Sequence, residues 1–477
     1  GLAHGLLHYL ETYPFGCTEQ LVSQAFPAIV LGTRPEFGLN GDKAANSVAH
    51  AIATLEARQN ADGAFGLWSA GGDVVPYVNV YATHFLLEAR EHGFEVPPVL
   101  LAGALNSLRA MVATPGNDIE TWRAQAYALY VLADSGVVVT DQANALKAAL
   151  DQNDAASWPS DITALYLAST YQLLRMDRDA ADIIGRAPAM PPADSQFDTY
   201  CDDLVYRATY LYLTSKHFPD RAKRIGPDEI LAIADAIKDN RQNTISSAYS
   251  LLALDAYAKA AGAPSQSGVT FTAKMPDNKS LPLAVPNEQF ALAEVPADAI
   301  SVHVEGDTDF ALFYQLTEAG FDLAPPTTEI KNRIELFREY DNEKGDPVTS
   351  SPIESKVDVK LSLRAIDSEI ANVAIVDLIP GGFEVDISPE GLGSRSSGAT
   401  DQNIWRPDFI DVREDRVVFY GTVGTGAQTF VYRLKPTNRG TFTVPPLYAE
   451  GMYDRTVQAR SLGGKFTIGE PPASTPK

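Results

Sequence analysis

Through the first 262 residues, stretches crowded with alanine, leucine and tyrosine alternate with stretches whose apolar positions form only a stripe. The crowded stretches begin near Tyr77, Ile119, Asp161, Val205 and Thr244, in steps of 42, 42, 44 and 39 residues. A period of that length is one helical hairpin. Striped partners lie between them at Lys43–Gln59, Pro98–Ala113, Gln142–Asp151, Asp177–Ile184 and Pro227–Lys238. A helix that is apolar on all sides is buried, whereas a striped one lies against a core. Counting an apolar run from Leu21 to Leu31, the pattern predicts an α/α toroid of about six helical hairpins. The alanines of Ala124-Gln125-Ala126-Tyr127-Ala128-Leu129 suit its inner ring, where helices must approach closely.

After Ala263-Pro264 the period falls to two. Val269–Ala273, Leu281–Val285, Phe290–Val295, Ile300–Val304 and Phe310–Gln315 read as short strands of a small β unit. Ala324-Pro325-Pro326 reads as a linker. Beyond it, Ile334–Tyr340, Val357–Leu363, Val373–Leu378, Val417–Tyr420, Gln428–Leu434, Gly440–Val444 and Gly464–Ile468 alternate and are separated by turn residues. They predict an immunoglobulin-like antiparallel β-sandwich. The expectation is a multidomain α plus β chain divided as 1–263, 264–326 and 327–477.

At 477 residues, two or three domains are expected on size alone. The net charge of −23 argues against nucleic acid or an anionic membrane surface as partner, since either needs a basic patch. No apolar run is long enough to span a membrane, and no stretch of these residues is expected to be a secretory signal. The chain lacks an initiating methionine, so it is expected to be the C-terminal part of a longer protein. Two cysteines, Cys17 and Cys201, make no disulfide framework, and Cys201 reads as a structural thiol.

The candidate chemistry lies in Tyr13-Pro14-Phe15-Gly16-Cys17-Thr18-Glu19-Gln20. Gly16 permits a tight turn before the helix. Positions three apart at a helix start face each other. The Cys17 sulfur can therefore attack the Gln20 side-chain carbonyl, expel ammonia and close a thioester. Such a ring is a stored acylating group, because a thiolate leaves more readily than the amine or hydroxyl that displaces it. A cysteine near a helix start is more often a buried small hydrophobe.

With Gly16, Glu19 and the aromatic lead-in, the motif resembles the thioester domain of the α2-macroglobulin and complement superfamily, most closely the bacterial α2-macroglobulins. Further stretches resemble that family's last macroglobulin-like domain, in the family's order. They are Val376-Asp377-Leu378-Ile379-Pro380-Gly381-Gly382-Phe383-Glu384, Asp415-Arg416-Val417-Val418-Phe419-Tyr420, Gly440-Thr441-Phe442-Thr443-Val444-Pro445-Pro446 and Ala449-Glu450-Gly451-Met452-Tyr453. The resemblance implies a toroid, the returning half of a CUB-type β-domain over residues 265–325, and a macroglobulin-like domain. It implies a broad-spectrum endopeptidase inhibitor rather than an enzyme. Proteases cut an upstream bait region absent from these residues and are then acylated through the Cys17–Gln20 thioester, with Gly16 and Glu19 in support. Tyr13, Phe15, Met452 and Tyr453 are expected to shield the ring, the last two matching the family's Met-Tyr position. The Met111–Trp122 connection carries no histidine, which favours direct reaction with amines. No cofactor or metal is expected. A periplasmic or cell-envelope location is expected, with membrane contact only through an N-terminal anchor, as in an inner-membrane lipoprotein.

Other groupings are weaker. Gln59-Asn60-Ala61-Asp62-Gly63-Ala64-Phe65-Gly66-Leu67-Trp68 resembles the Gln-to-Trp motif of terpene cyclases and prenyltransferases, but thioester domains carry a similar turn. It is expected to be structural, capped by Asp62 and plugged by Phe65 and Trp68. Asp198, Asp202 and Asp203 around Cys201 read as helix-start residues rather than a metal site. Asp341-Asn342-Glu343-Lys344-Gly345-Asp346 reads as a hairpin turn rather than a calcium loop. His4 and His8 stand four apart without a third ligand, and no His-Glu pair with metal spacing is apparent. The alternatives are a toroid lyase or glycosidase, which needs paired carboxylates across a cavity, and a structural module whose ring never forms.

Overall fold

In a computed structural model of the chain, the described residues are 2–32, 41–193, 195, 197–239, 241–261, 269–284, 293–306, 316, 325–392 and 403–470. The chain divides into two compact units, Gly1–Glu318 and Ala319–Lys477. The expected boundary at 263–264 and the expected strand Phe310–Gln315 lie outside the described residues, as does Ala324 of the expected linker.

The first unit contains α1 (Leu2–Thr12), α2 (Thr18–Leu31), α3 (Gly41–Arg58), α4 (Pro76–Glu91), α5 (Pro98–Met111), α6 (Ile119–Asp134) and α7 (Thr140–Asn153). It continues with α8 (Ile162–Leu173), α9 (Asp177–Arg186), α10 (Asp203–His217), the single turn α11 (Pro219–Ala222), α12 (Pro227–Lys238) and α13 (Thr244–Ala261). Helices α2, α4, α6, α8, α10 and α13 pack in that order, and α13 returns to α2. The inner helices therefore close a ring, and the chain is an α/α toroid over this unit. Helix α4 is buried from Tyr77 to Ala89, whereas outer α3 buries only Ala44, Val48, Ala51, Ile52 and Leu55. This is the contrast of crowded and striped segments seen in the sequence.

Four of the inner helices, α6, α8, α10 and α13, start on side-chain caps spaced by the repeat, whereas α4 starts on Pro76 without one. Asp118 accepts from Thr121 N at the start of α6 at 2.8 Å, Asp161 from Thr163 N at α8 at 2.9 Å, and Asp202 from Val205 N at α10 at 2.7 Å. Asn243 accepts from Ser246 N at α13 at 2.9 Å. Each cap satisfies one of the amides that a helix start leaves without a partner. The same position on α2 is held by Cys17.

Tyrosines fill the ring's centre. Tyr77 and Tyr166 hydroxyls lie 3.2 Å apart and Tyr166 and Tyr249 3.1 Å apart; Tyr249 donates to Tyr127 at 2.8 Å, and Tyr127 meets His84 Nδ1 at 2.8 Å. Burial pushes the Tyr77, Tyr127 and Tyr249 hydroxyls well above the usual phenol range, so the chain stays neutral.

The first unit ends in a three-stranded antiparallel sheet of β1 (Val269–Lys274), β2 (Ser280–Leu283) and β3 (Ser301–Gly306), in the order β2-β1-β3. Of the expected strand Phe290–Val295, residues 290–292 are not described and residues 293–295 are not strand.

The second unit contains β4 (Ile330–Asn332), β5 (Ile334–Asp341), β6 (Ser350–Pro352), β7 (Val357–Ala365), β8 (Ile370–Leu378), β9 (Phe383–Val385) and the turn α14 (Pro389–Leu392). It continues with β10 (Phe409–Val412), β11 (Arg416–Val423), β12 (Gln428–Pro436), β13 (Gly440–Val444), β14 (Tyr448–Gly451), β15 (Gln458–Arg460) and β16 (Gly464–Gly469). A six-stranded sheet, β10-β11-β8-β14-β15-β4, and a four-stranded sheet, β5-β7-β12-β9, enclose the core. Along β7, Val357, Val359, Leu361, Leu363 and Ala365 alternate inward, as period two requires. Across the core, Asp377 on β8 is bound by Arg338 of β5 and by the Tyr432 hydroxyl of β12 at 2.7 Å. This explains a charged residue inside an apolar strand: it is paired on burial. The strand pairs of these two sheets are antiparallel, as expected. A third small sheet, β13-β16-β6, contains the parallel pair β16–β6, formed where the last strand runs beside the short segment 350–352. The 341–346 segment is a tight turn, with Asn342 Oδ1 accepting from Lys344 N and Asp346 N.

Candidate functional site at the start of the second helix

Cys17 takes an extended conformation immediately before α2, and Gln20 occupies the helix's third position. The Cys17 N–H donates to Gln20 Oε1 at 3.0 Å, which folds the carboxamide back over the cysteine. Gln20 Nε2 donates to the Tyr13 hydroxyl at 3.4 Å. Both residues are fully buried, and neither Cys17 nor Cys201 is in a disulfide. The arrangement has chemical meaning. An amide N–H on the carbonyl oxygen stabilises charge that develops there when a nucleophile adds to the carbon. A helix start also favours negative charge at its first residues.

The segment leading to Cys17 is tied down by side chains. Gln24 Nε2 donates to Tyr13 O at 3.0 Å, and Arg58 donates to Gly16 O at 2.9 Å and to Thr18 Oγ1 at 3.1 Å. Gly16 does not lie in the left-handed region, and a Cβ there would meet nothing within 4 Å. Neither the backbone nor the packing demands a glycine there, and these hydrogen bonds hold the turn. Tyr13 packs edge-on against Phe15 at 5.4 Å and against Tyr9 at 5.6 Å, with Phe15 buried and Tyr13 half-buried.

Glu19 points away from this chemistry, toward α13. Its carboxylate accepts from Ser23 at 2.5 Å and from Thr244 at 2.9 and 3.1 Å, and Ser23 in turn meets Tyr81 at 3.1 Å. Glu19 thus pins the first inner helix to the last, where the ring closes.

The glycine-rich turn forms the floor beneath the motif. Leu67 O accepts from Thr18 N at 2.8 Å, and Gly66 O accepts from Thr18 Oγ1 at 2.7 Å. Its cap is Asn60, whose Oδ1 accepts from Asp62 N and Ala64 N, not the expected Asp62, which is exposed. Asparagine precedes the turn and so reaches the amides that follow it. Phe65 plugs the turn as expected, and Trp68 is half-buried. Gly63 has φ +81°, and a Cβ there would stand 2.2 Å from Gly103 O.

The acidic residues near Cys201 are committed to structure. Asp198 and Asp161 clamp Arg123, each at 2.6 Å, Asp202 caps α10, and Asp203 pairs with Arg207. Burial pushes the Cys201 thiol well up. A His-Glu pair that the sequence reading missed lies at His84 and Glu88, which with Asp134 could offer three ligands to a cation. Lys216 supplies that charge already, its ammonium 2.5 Å from Glu88 and 3.6 Å from Asp134. His8 is exposed on α1. In the second unit, Met452 is buried directly after β14, with its N–H donating to Asn372 O at 2.9 Å, and Tyr453 is half-buried. Sequence reasoning also missed Arg58, Thr18, Ser23 and Thr244. Only Arg58 carried a signal, as a cation directly before the Gln59–Trp68 turn.

A toroid followed by a small sheet and a β-sandwich is the architecture of the C-terminal part of α2-macroglobulins. The crystal structure of native Escherichia coli α2-macroglobulin from domain MG7 to the C-terminus aligns with a TM-score of 0.77 and 20% identity, covering 98% of this chain and 75% of that one. The crystal structure of Salmonella α2-macroglobulin reacted with methylamine aligns with a TM-score of 0.76 and 21% identity, covering 98% of this chain and 31% of that one. Residues 334–455 match the bacterial α2-macroglobulin MG10 domain. An α2-macroglobulin homolog of Yersinia pestis is 35% identical across 99% of this chain and 25% of its own length. The α2-macroglobulin of Rickettsia conorii is 31% identical across 97% of this chain and 24% of its own. The chain belongs to the bacterial α2-macroglobulin family, and it spans about a quarter of the length of the curated relatives it matches.

Proposed function

We propose that Cys17 and Gln20 form an internal thioester through which a bacterial α2-macroglobulin-like protease inhibitor acylates its targets. The observation that carries this reading is the Cys17 N–H on Gln20 Oε1, which holds the carboxamide over the cysteine in a buried site. The thiol adds to the Gln20 side-chain carbon, the carbon–nitrogen bond breaks, and ammonia leaves with the thiol proton. A primary amine, such as a lysine of an attacking protease, later adds to the same carbon. The carbon–sulfur bond then breaks, an amide forms, and the sulfur departs as thiolate. The reaction occurs once, so the protein is an inhibitor rather than an enzyme.

Water must be kept from such a ring. Phe15 is buried and Tyr13 reaches the Gln20 carboxamide, which supports a shielding role on the toroid side. Met452 and Tyr453 are assigned the same role through the family resemblance. Protease capture after cleavage of an upstream bait region, and a place in the periplasm or cell envelope in bacterial defence, are proposed on the same footing. The Salmonella relative's reaction with methylamine supports chemistry with small amines. The lyase or glycosidase alternative finds no support in the ring's centre. Tyrosines fill it, and the buried carboxylates Glu19 and Glu88 are bound by hydroxyls and an ammonium.

A fluorescent primary amine tests the reading. Uptake is expected at Gln20, mapped by peptide mass spectrometry, with one thiol appearing per amine incorporated and none of either in Cys17→Ala. Labelling elsewhere, or labelling that survives Cys17→Ala, would refute it.

A further inference from the structure

Arg58 closes the outer helix α3 and turns its guanidinium onto the residues on either side of Cys17, Gly16 and Thr18. A third contact runs to Leu67 O at 3.4 Å. Two carbonyls and a hydroxyl are neutral acceptors. Among the described residues, no carboxylate forms an ion pair with this half-buried cation. Two other toroid arginines meet anions, Arg123 clamped by Asp161 and Asp198 and Arg207 paired with Asp203, whereas Arg221, like Arg58, donates to a hydroxyl and a carbonyl, Tyr210 Oη and Ala187 O, but stands away from the motif. A guanidinium drawn out of water without an anion is costly, so its placement needs a reason. Burial lowers the Arg58 pKa, and the charge of Cys17 is what opposes that shift.

We propose that Arg58 is the counter-charge of the Cys17 sulfur, stabilising the thiolate that attacks Gln20 and the thiolate that departs when an amine opens the ring. The proposal rests on the thioester reading for its chemical purpose but is measurable without it. In the closed ring the sulfur is neutral and Arg58 has no anion. On aminolysis, the carbon–sulfur bond breaks and its electron pair goes to sulfur, creating the negative charge beside the guanidinium. The cation therefore favours the transition state over the ground state, which is the condition for accelerating a step. A fixed positive charge beside a thiol also lowers the energy of the thiolate. The bonds to Gly16 O and Thr18 Oγ1 hold the charge where the sulfur will need it.

The test uses Gln20→Ala, in which no thioester can form and Cys17 is titrated through thiolate ultraviolet absorbance against pH, with Cys17→Ala subtracting Cys201. Adding Arg58→Gln is expected to raise the Cys17 pKa by about one unit or more. Arg58→Lys, which keeps the charge but loses the planar fork, is expected to restore most of that shift. In the chain with Gln20 intact, Arg58→Gln should slow methylamine incorporation by roughly tenfold, matching the titration. A merely structural arginine would lower the melting temperature in both variants without separating their titrations. Superimposed titrations of Gln20→Ala with and without Arg58→Gln would overturn the proposal. If Arg58→Gln does not fold, an Arg58→Lys titration as high as that of an unassisted buried thiol would overturn it equally. A thioester seen by mass together with unshifted titrations would sink Arg58 while leaving the ring intact.

Discussion

At the scale of single residues, the site separates chemistry from its support. Cys17 and Gln20 face each other through one hydrogen bond, while Glu19, their neighbour, turns the other way to Ser23 and Thr244. Glu19→Ala would leave buried hydroxyls without their acceptor, a loss of roughly 1 to 3 kcal/mol. Its melting temperature is expected to fall while the folded fraction still incorporates amine. Loss of incorporation with an unchanged melting temperature would assign Glu19 to the chemistry instead. The three-residue spacing of Cys17 and Gln20 was legible because helix geometry is local. Thr244 lies at the far end of the toroid sequence, and nothing near Glu19 signals that they meet. Asn60 was missed for a smaller reason: Asp62 and Asn60 are equally good turn residues by type, and only the direction of the amides decides between them.

At the scale of elements, a repeated cap is the organising device. Asp118, Asp161, Asp202 and Asn243 start successive inner helices, and Cys17 takes the corresponding place on the first. The sulfur proposed to form the thioester thus occupies a position the fold already builds well. The floor beneath it depends on Gly63, whose left-handed backbone and contact with Gly103 leave no room for a side chain. Gly63→Ala is expected to cost about 1 to 2 kcal/mol for the backbone alone, more with the clash, read as a lower denaturant midpoint. An unchanged midpoint would mean the turn relaxes freely. A second expectation concerns pH. Burial, aided by Lys216, holds His217 down at about 3, against an ordinary value near 6.5. Between those values the unfolded chain binds the extra proton, so stability is present above about 6.5 and is lost as pH falls toward 3. His217→Gln should flatten that acid limb of a melting-temperature profile, and an identical slope would show that His217 does not contribute to it. The long elements were legible from period alone. Strands such as β4, β6 and β9, each of three residues, were not, because pairing at a sheet edge sets them rather than any alternation of their own.

At the scale of the whole chain, a toroid and a β-sandwich form two compact units, and each was legible in outline because the hydrophobic period changes between them. Asp377 had been readable only as part of a family motif; the structure gives its physical reason in Arg338 and Tyr432. The role proposed for Met452 and Tyr453 is tested by function. Replacing both with alanine should speed hydrolysis of the thioester and its attack by methylamine while changing the melting temperature little. An unchanged hydrolysis rate would remove them from the shield.

The central claim, a bond between Cys17 and Gln20, is tested most directly by the intact mass of freshly purified protein. The account predicts a mass lower than the sequence by one ammonia, restored to a methylamide adduct with one new thiol after methylamine, and no deficit in Cys17→Ala. A full unmodified mass with a Cys17 thiol that titrates at once, in protein kept from amines and base throughout, would contradict it.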